Sequence, residues 1–151
     1  MSEIILHHYP PSPVSEKVRI ALGIKKLAWR SVEIPRVPPK PDVMPLTGGY
    51  RRTPIMQIGA DIYCDSQCIL RELERLHPAP TLFPGGSEGL AWMMYRWTDS
   101  LFDLAAKLLI GAGAGSLPEA FLKDRGRLFF GENWNIESIR DGLSHTATQL
   151  R

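Results

Sequence analysis

The chain has 151 residues, 44% of them apolar, so it can bury a sizeable core as one ordinary domain or two small ones. With 18 Lys and Arg against 16 Asp and Glu, its net charge of +2 is too small to favour nucleic acid as the main partner, whereas anionic small molecules stay compatible. The first residues lack the layout of a secretory signal, and no stretch approaches about 18 uninterrupted apolar residues, so we expect a cytoplasmic protein without membrane contact.

The first part of the chain alternates strand patterns with helical ones. Residues 4–8 form a short β-prone run, which the proline-rich segment 9–13 closes. From Val14 onward apolar residues recur at helical spacing, which predicts a helix of about three turns. Residues 29–34 alternate as a second strand, and prolines together with a glycine pair then make residues 35–53 mostly loop, with at most a short helix.

Two further strands and a helix follow this loop. Residues 54–58 and 62–64 predict strands around a turn at residues 59–61, and Ser66 begins a helix with a buried apolar face that ends at His77-Pro78. The order strand, helix, strand, loop, strand, strand, helix fits an α/β sandwich with a mixed four-stranded sheet.

The composition then changes to helical patterns. Residues 90–110 predict a long helix that ends at the glycine-rich tract 111–115, and residues 117–130 are helical in part. Asn135 is suited to cap a last helix, which shows no stop signal before Arg151. The apolar faces of these helices need more partners than the chain supplies, so we expect the helical domain to be incomplete.

Cysteine and histidine spacing gives no metal site. Cys64 and Cys68 are four residues apart rather than in CxxC spacing, so we expect reduced, partly buried thiols. His7 and His8 are adjacent on a strand, point to opposite faces, and cannot bind one metal ion together.

An aromatic and methionine cluster lies on the first helix of the second half. It is more typical of a helical core or a dimer face than of an apolar co-substrate pocket. Its members are Trp92, Met93, Met94, Tyr95 and Trp97.

Three motifs stand next to the predicted strands: residues 12–22 (SPVSEKVRIAL), 52–56 (RTPIM) and 65–69 (DSQCI). In order and spacing they resemble the glutathione-binding segments of cytosolic glutathione transferases. The resemblance is close over residues 4–78 and loose beyond them.

This resemblance implies a thioredoxin-like domain over residues 1–78, a linker over 79–89 and part of an all-α domain over 90–151. It also implies glutathione as co-substrate, a small apolar electrophile as second substrate, no metal, and a homodimer.

Ser12 is the expected catalytic residue. It precedes Pro13 at the predicted start of a helix, where unpaired N–H groups and the helix dipole favour a negative charge. A free thiol has a pKa of about 8.5, and lowering it by about two units, which is worth about 2.7 kcal/mol, gives mostly thiolate at neutral pH. In serine-type family members the hydroxyl donates to the glutathione sulfur. A plain helix cap is the alternative and is compatible with catalysis; Ser15 and Tyr9 are alternative hydroxyls.

Thr53 and Pro54 are expected to bind the cysteinyl part of glutathione. Pro54 begins a strand, where proline cannot donate to the ladder. In the family a cis bond at this position turns the N–H and C=O of the preceding residue toward the peptide, so we expect a cis Thr53–Pro54 bond. An ordinary trans proline on an edge strand is the alternative.

The resemblance assigns the two ends of glutathione to charged groups. Asp65 would face the γ-glutamyl ammonium, and Ser66 with the helix N-terminus would bind its carboxylate, unless the pair is a plain helix cap. Many relatives have glutamate in place of Asp65, which reaches one methylene further. Lys40 or Arg52 would bind the glycyl carboxylate, with a solvated loop side chain as the alternative.

We therefore expect a glutathione transferase that conjugates the thiolate to a small electrophile. One alternative is a non-catalytic glutathione-binding or protein-interaction module on the same fold. Another is a glutathione-dependent isomerase, dehalogenase or peroxidase.

Overall fold

The computed structural model describes residues 2–150. The chain divides into two compact units, Met1–Gly85 and Gly86–Arg151. The first unit contains β1 (Ile4–His8), α1 (Pro13–Ile24), β2 (Arg30–Glu33), β3 (Ile55–Ile58), β4 (Asp61–Cys64) and α2 (Ser66–Leu76). The second contains α3 (Glu88–Gly113), α4 (Glu119–Phe130) and α5 (Ile136–Gln149).

The sheet of the first unit has the strand order β2-β1-β3-β4. β1 is parallel to β2 and antiparallel to β3, and β3 is antiparallel to β4. The expected mixed four-stranded sheet is therefore confirmed, and β1 forms one of its two central strands.

One face of the sheet packs against α1 and α2. Period-2 alternation in β1 turns Ile4 and Leu6 to this face, and helical spacing in α1 brings Val18 and Leu22 onto them. Each large apolar side chain that is fully buried here stabilises the fold by about 1.5–3 kcal/mol. This core fixes the position of α1 on the strand that precedes it.

The opposite face of the sheet is covered by the loop between β2 and β3. Val43 in this loop packs with Ile34 and Ile55 to form a second buried cluster. The prolines and glycines of residues 35–53 leave no regular helix there, as expected. An irregular segment can hold a core because its apolar side chains still bury their surface.

A buried ion pair joins the ends of α1 and α2. The Lys25 ammonium donates to Glu74 Oε2 at 2.6 Å, to the His77 carbonyl at 2.6 Å and to the Pro80 carbonyl at 3.1 Å. Glu74 also accepts from the backbone N–H of Leu82 at 3.0 Å. Burial raises the pKa of the Glu74 carboxyl, but its hydrogen bonds with Lys25, a threonine hydroxyl and that N–H outweigh burial and lower it.

In the second unit, α3 ends inside the glycine tract at which the sequence predicts its end. The predicted end at residues 111–115 is confirmed, and the last helical residue is Gly113. At Gly111 an added Cβ would lie 2.4 Å from Leu143 Cδ2 and 2.9 Å from Ile139 Cγ2 of α5. The glycine therefore allows two helices to approach closely, which sequence periodicity does not reveal.

Two further predictions concern the cap of α5 and the aromatic and methionine cluster of α3. Asn135 caps α5 as predicted, because its Oδ1 accepts from the Ser138 N–H at 2.8 Å. Met93 and Trp97 are 60% and 58% exposed, and Met94 is exposed as well, so these side chains are not buried in a core within this chain. Across residues 2–150, no helix combines the length and apolar character needed to cross a membrane.

Candidate functional site

The sheet topology brings the three motifs together at one end of the strands, the edge where β1 and β4 end and β3 begins. His7 at the end of β1 pairs with Ile55 at the start of β3, and Ile55 pairs with Cys64 at the end of β4. The segments that follow β1, precede β3 and follow β4 must therefore leave the sheet at the same edge. Both α1 and α2 begin there, so two helix N-termini flank this edge, which favours bound negative charge.

Ser12 is the N-cap of α1. Its Oγ accepts from the Ser15 N–H at 3.2 Å and from the Ser15 hydroxyl at 3.0 Å. Pro13 occupies the first turn, where its missing N–H is of no consequence. The hydrogen bond from the Ser15 N–H shows that Ser12 caps α1. The side chain is also only 2% exposed, so its hydroxyl is more enclosed than that of a serine in an open active site.

Arg19 holds the loop that carries Ser12 through hydrogen bonds to Pro10 and His8. The Ser12 N–H donates to the Tyr9 carbonyl at 3.0 Å, which closes the turn. Arg19 Nη2 donates to the Pro10 carbonyl at 2.9 Å and Nη1 donates to His8 Nδ1 at 2.9 Å. Arg19 also pairs with Glu16. The start of α1 is thus tied to the end of β1.

His8 is a neutral member of this network. A guanidinium only donates, so His8 Nδ1 accepts, and its proton on Nε2 is donated to Ser31 Oγ at 2.8 Å. Burial lowers the pKa of His8 and the charge of Arg19 lowers it further, against smaller opposing contributions from Glu33 and Glu16. The ring therefore acts as a fixed support beside the loop.

The second motif has a buried lysine beside it. The Thr53–Pro54 bond is cis, as expected, and Pro54 is fully buried. Lys40 is 3% exposed, and its Nζ donates to the Arg51 carbonyl at 2.9 Å and to Thr53 Oγ1 at 3.2 Å. The alternative of a solvated loop lysine is wrong for Lys40, whereas Arg52 is exposed to solvent.

The third motif begins α2 in an unusual backbone conformation. Asp65 has φ 75°, and its carboxylate is exposed and makes no side-chain cap bond to the helix. Ser66, which is fully buried, is the first helical residue, as predicted, so the alternative in which its side chain caps the helix is wrong. A positive φ in a non-glycine residue costs about 1–3 kcal/mol and is typical of functional sites.

The two cysteines ionise less readily than a free thiol. Burial raises the pKa of the Cys64 thiol, and the neighbouring Cys68 and Asp65 raise it further. The pKa of Cys68 is also raised, first by burial and then by Asp65 and Glu72. Cys68 is exposed, which corrects the expectation that both thiols are partly buried. Within residues 2–150, no group of three His, Cys, Asp or Glu could hold a metal ion.

The structure thus brings Lys40 into contact with Thr53, while Arg52 points to solvent. The bond between the hydroxyls of Ser12 and Ser15 was not anticipated, although their spacing of three residues is that of a capping box and is the signal that could have revealed it. The role of Arg19 in holding the loop was missed as well, because it depends on tertiary contact.

A mixed four-stranded sheet whose edge gathers two helix N-termini and a cis-proline strand, followed by a helical unit, defines the class of thioredoxin-like folds with a helical extension. The family model of the glutathione S-transferase N-terminal domain matches residues 6–81, just over half of the 151 residues. The chain belongs to the glutathione S-transferase family.

Solved structures agree with this assignment. A GST-like protein from Pseudomonas syringae is 40% identical, with a TM-score of 0.65 over 99% of this chain. A glutathione S-transferase from Rhodospirillum rubrum is 23% identical, with a TM-score of 0.66 over 98% of this chain. One from Ceriporiopsis subvermispora, solved in complex with glutathione, is 17% identical with a TM-score of 0.64 over 98% of this chain and 72% of its own. The last two show the fold.

The chain is shorter than these proteins. It spans 48% of the Pseudomonas syringae protein and 64% of the Rhodospirillum rubrum one. A comparison with curated protein sequences gives no significant match.

Proposed function

We propose that this chain binds glutathione at the edge of its sheet and conjugates the thiolate to a small apolar electrophile, as part of a cytoplasmic, dimeric glutathione transferase. The observation that carries the proposal is the convergence of Ser12, the Thr53–Pro54 segment and the Asp65–Ser66 segment at one sheet edge, next to two helix N-termini. Such an edge suits an anionic tripeptide with a nucleophilic sulfur.

Ser12 would stabilise the thiolate. A hydrogen bond to a charged group contributes about 1.5–3 kcal/mol, and a helix N-terminus adds about 0.3–1 kcal/mol. Their sum matches the change of about two pKa units, about 2.7 kcal/mol, that converts most of the thiol to thiolate at neutral pH. The thiol proton leaves to solvent. The sulfur lone pair then forms a bond to the electrophilic carbon, and in a substitution the leaving group departs with its bonding electrons.

The remaining residues would hold the peptide. The exposed Asp65 carboxylate suits the γ-glutamyl ammonium, and the first N–H groups of α2, next to Ser66, suit its carboxylate. Main-chain groups of Thr53 would pair with the cysteinyl residue. The Lys40 ammonium would bind the glycyl carboxylate, with the exposed Arg52 as the alternative cation.

A non-catalytic glutathione-binding module is the second candidate. The near-complete burial of Ser12 favours it, because a sulfur atom must reach this hydroxyl to be activated by it. This module would bind glutathione without ionising it.

Calorimetric titration with glutathione, followed by turnover of a generic aryl halide, separates the candidates. The transferase binds glutathione, lowers the pKa of its thiol and consumes the halide. The binding module gives heat on titration and no conjugate. Absence of binding would contradict both. If the halide is not turned over but the bound thiol is ionised, a panel of isomerase, dehalogenase and peroxidase substrates identifies the reaction.

A further inference from the structure

We propose that Ser15 is a positioning residue, which directs the Ser12 hydroxyl proton toward the site of the glutathione sulfur. This inference rests on the proposed function, since it concerns how Ser12 would perform it. The observation behind it is a pair of buried, hydrogen-bonded hydroxyls at the start of α1: Ser12, the expected catalytic residue, and Ser15, which the sequence offers only as an alternative hydroxyl.

Both side chains are enclosed, and their bonds are defined. Ser15 is fully buried, and its hydroxyl lies 3.0 Å from Ser12 Oγ. The Ser15 N–H lies 3.2 Å from the same oxygen, in the ordinary capping geometry. Among residues 2–150, these are the two hydrogen bonds that Ser12 Oγ makes.

The direction of the hydroxyl bond follows from donor and acceptor capacity. A hydroxyl oxygen accepts two hydrogen bonds and donates one. The buried Ser15 hydroxyl needs an acceptor, and Ser12 Oγ is the acceptor beside it. When Ser15 donates, both lone pairs of Ser12 Oγ are occupied, by the N–H and the hydroxyl of the same residue. The Ser12 hydroxyl can then still donate one hydrogen bond through its own proton.

Two consequences follow for a bound thiolate. First, the Ser12 proton points away from α1, because both acceptor directions of Oγ face Ser15. Second, an oxygen that accepts hydrogen bonds becomes a better donor, because successive bonds polarise one another. Ser15 would thus fix the rotor of Ser12 and strengthen its bond to sulfur without touching glutathione itself.

The test compares Ser15→Ala, Ser15→Thr and Ser12→Ala with the wild-type protein. Thiolate absorbance measured against pH gives the pKa of the bound thiol, titration gives the Kd of glutathione, and an aryl halide gives kcat and KM. We expect Ser15→Ala to raise the thiol pKa by about 0.5–1 unit, to lower kcat at neutral pH by about three- to tenfold, and to keep Kd within twofold. Ser15→Thr keeps the hydroxyl and restores the wild-type pKa.

A matched control distinguishes a loss of helix stability from a change in the orientation of the Ser12 hydroxyl. Ser138 supports the cap of α5 as Ser15 supports that of α1, so Ser138→Ala should lower the melting temperature without moving the thiol pKa. Ser15→Cys, which is close to serine in size, gives a second variant of small steric effect, and its weak S–H donor should yield an intermediate thiol pKa.

The outcomes separate this inference from the function on which it rests. A raised thiol pKa in Ser12→Ala together with an unchanged one in Ser15→Ala overturns the role of Ser15 and leaves that of Ser12 intact. An unchanged thiol pKa in Ser12→Ala overturns the catalytic role of Ser12 and this inference with it. An equally raised pKa in Ser15→Ala and Ser15→Thr, with both variants folded, also overturns the role of the hydroxyl.

Discussion

The Lys40 ammonium lies 3.2 Å from Thr53 Oγ1 and 2.9 Å from the Arg51 carbonyl, and its side chain is almost fully enclosed. A buried ammonium beside the cis-proline segment is expensive to desolvate, and an anionic ligand would offset part of that cost. Within the proposed function, Lys40 would bind the glycyl carboxylate, and the exposed Arg52 is the alternative cation.

We expect Lys40→Met to weaken glutathione binding by at least about tenfold, because one charge-assisted hydrogen bond is worth about 1.5–3 kcal/mol. Titration with glutathione and with its glycyl amide provides the measurement. The variant should bind the two ligands equally, whereas the wild-type protein should prefer free glutathione. Lys123→Met makes the same change on an exposed lysine and should leave the affinity unaltered. An equal loss for both ligands would contradict the contact with the glycyl end.

Ser12→Ala should reduce turnover of an aryl halide by tenfold or more while glutathione is retained with nearly the same Kd. The variant also loses the cap of α1, so its free energy of unfolding should fall by about 1 kcal/mol. Turnover and urea unfolding are measured on the same preparation. Unchanged turnover together with reduced stability would assign Ser12 to capping alone.

Sequence patterns were sufficient for the parts of the fold that depend on local chemistry. Strand alternation in β1 and apolar periodicity in α1 indicated the packed face of the sheet, and the Asn135 cap was visible in the sequence. The patterns could not predict contacts that depend on residues distant in the sequence. The close approach of α5 to Gly111 depends on Ile139 and Leu143, and nothing local to the glycine tract encodes it.

The candidate site was predictable to a similar degree. The three motifs supplied the candidate residues, and the sheet register brings their segments to one edge. The burial of Lys40 could not be read from a proline-rich loop, because it depends on how the loop folds over the sheet. The support of the Ser12 loop by Arg19 and His8 likewise joins a helix side chain to the end of a strand.

Lys25→Met should lower the free energy of unfolding of the first unit by about 2–3 kcal/mol. It removes three hydrogen bonds from a side chain without solvent exposure and leaves Glu74, which is 20% exposed, without its cation. Urea unfolding measures the loss. Arg30→Met removes the cation of an exposed pair with Glu3 and should cost less than about 1 kcal/mol. Similar losses in both variants would contradict the structural role of Lys25.

The same pair makes stability depend on acid. The folded pKa of Glu74 is below its ordinary value of 4.5, so the unfolded chain binds the proton first as pH falls. The contribution of the pair is complete above about pH 4.5 and is lost as pH falls through the folded value. The free energy of unfolding, measured by urea at a series of pH values, should therefore fall less steeply below about pH 4.5 in Lys25→Met than in the wild-type protein.

His8 should give a second dependence at higher pH. Burial and Arg19 lower its folded pKa below 6.5, so the unfolded chain again binds the proton more readily. The stabilising contribution is complete above pH 6.5 and declines as pH falls below that value toward the folded pKa. His8→Gln should flatten this slope below about pH 6.5 in a series of urea unfolding measurements. The same slope in both proteins would show that His8 does not titrate differently on folding.

Two glycine-to-alanine changes in the second unit should have opposite signs. At Gly126 in α4, an added Cβ would lie 2.4 Å from the ring of Trp134, so Gly126→Ala must displace an indole and should destabilise this unit by about 1–3 kcal/mol. At Gly142 in α5, an added Cβ meets no atom within 4 Å, and alanine favours a helix over glycine by about 0.5–1 kcal/mol. Gly142→Ala should therefore stabilise the protein.

Thermal unfolding followed by tryptophan fluorescence distinguishes the two variants, because one of the four tryptophans of the chain, Trp134, lies against Gly126. Gly126→Ala should lower the melting temperature and alter the emission of the folded state, whereas Gly142→Ala should raise the melting temperature with unchanged emission. Since both changes add one methyl group to a helical glycine, a raised melting temperature in both variants would mean that helix propensity outweighs the contact with Trp134. A lowered melting temperature in both would contradict the open space at Gly142.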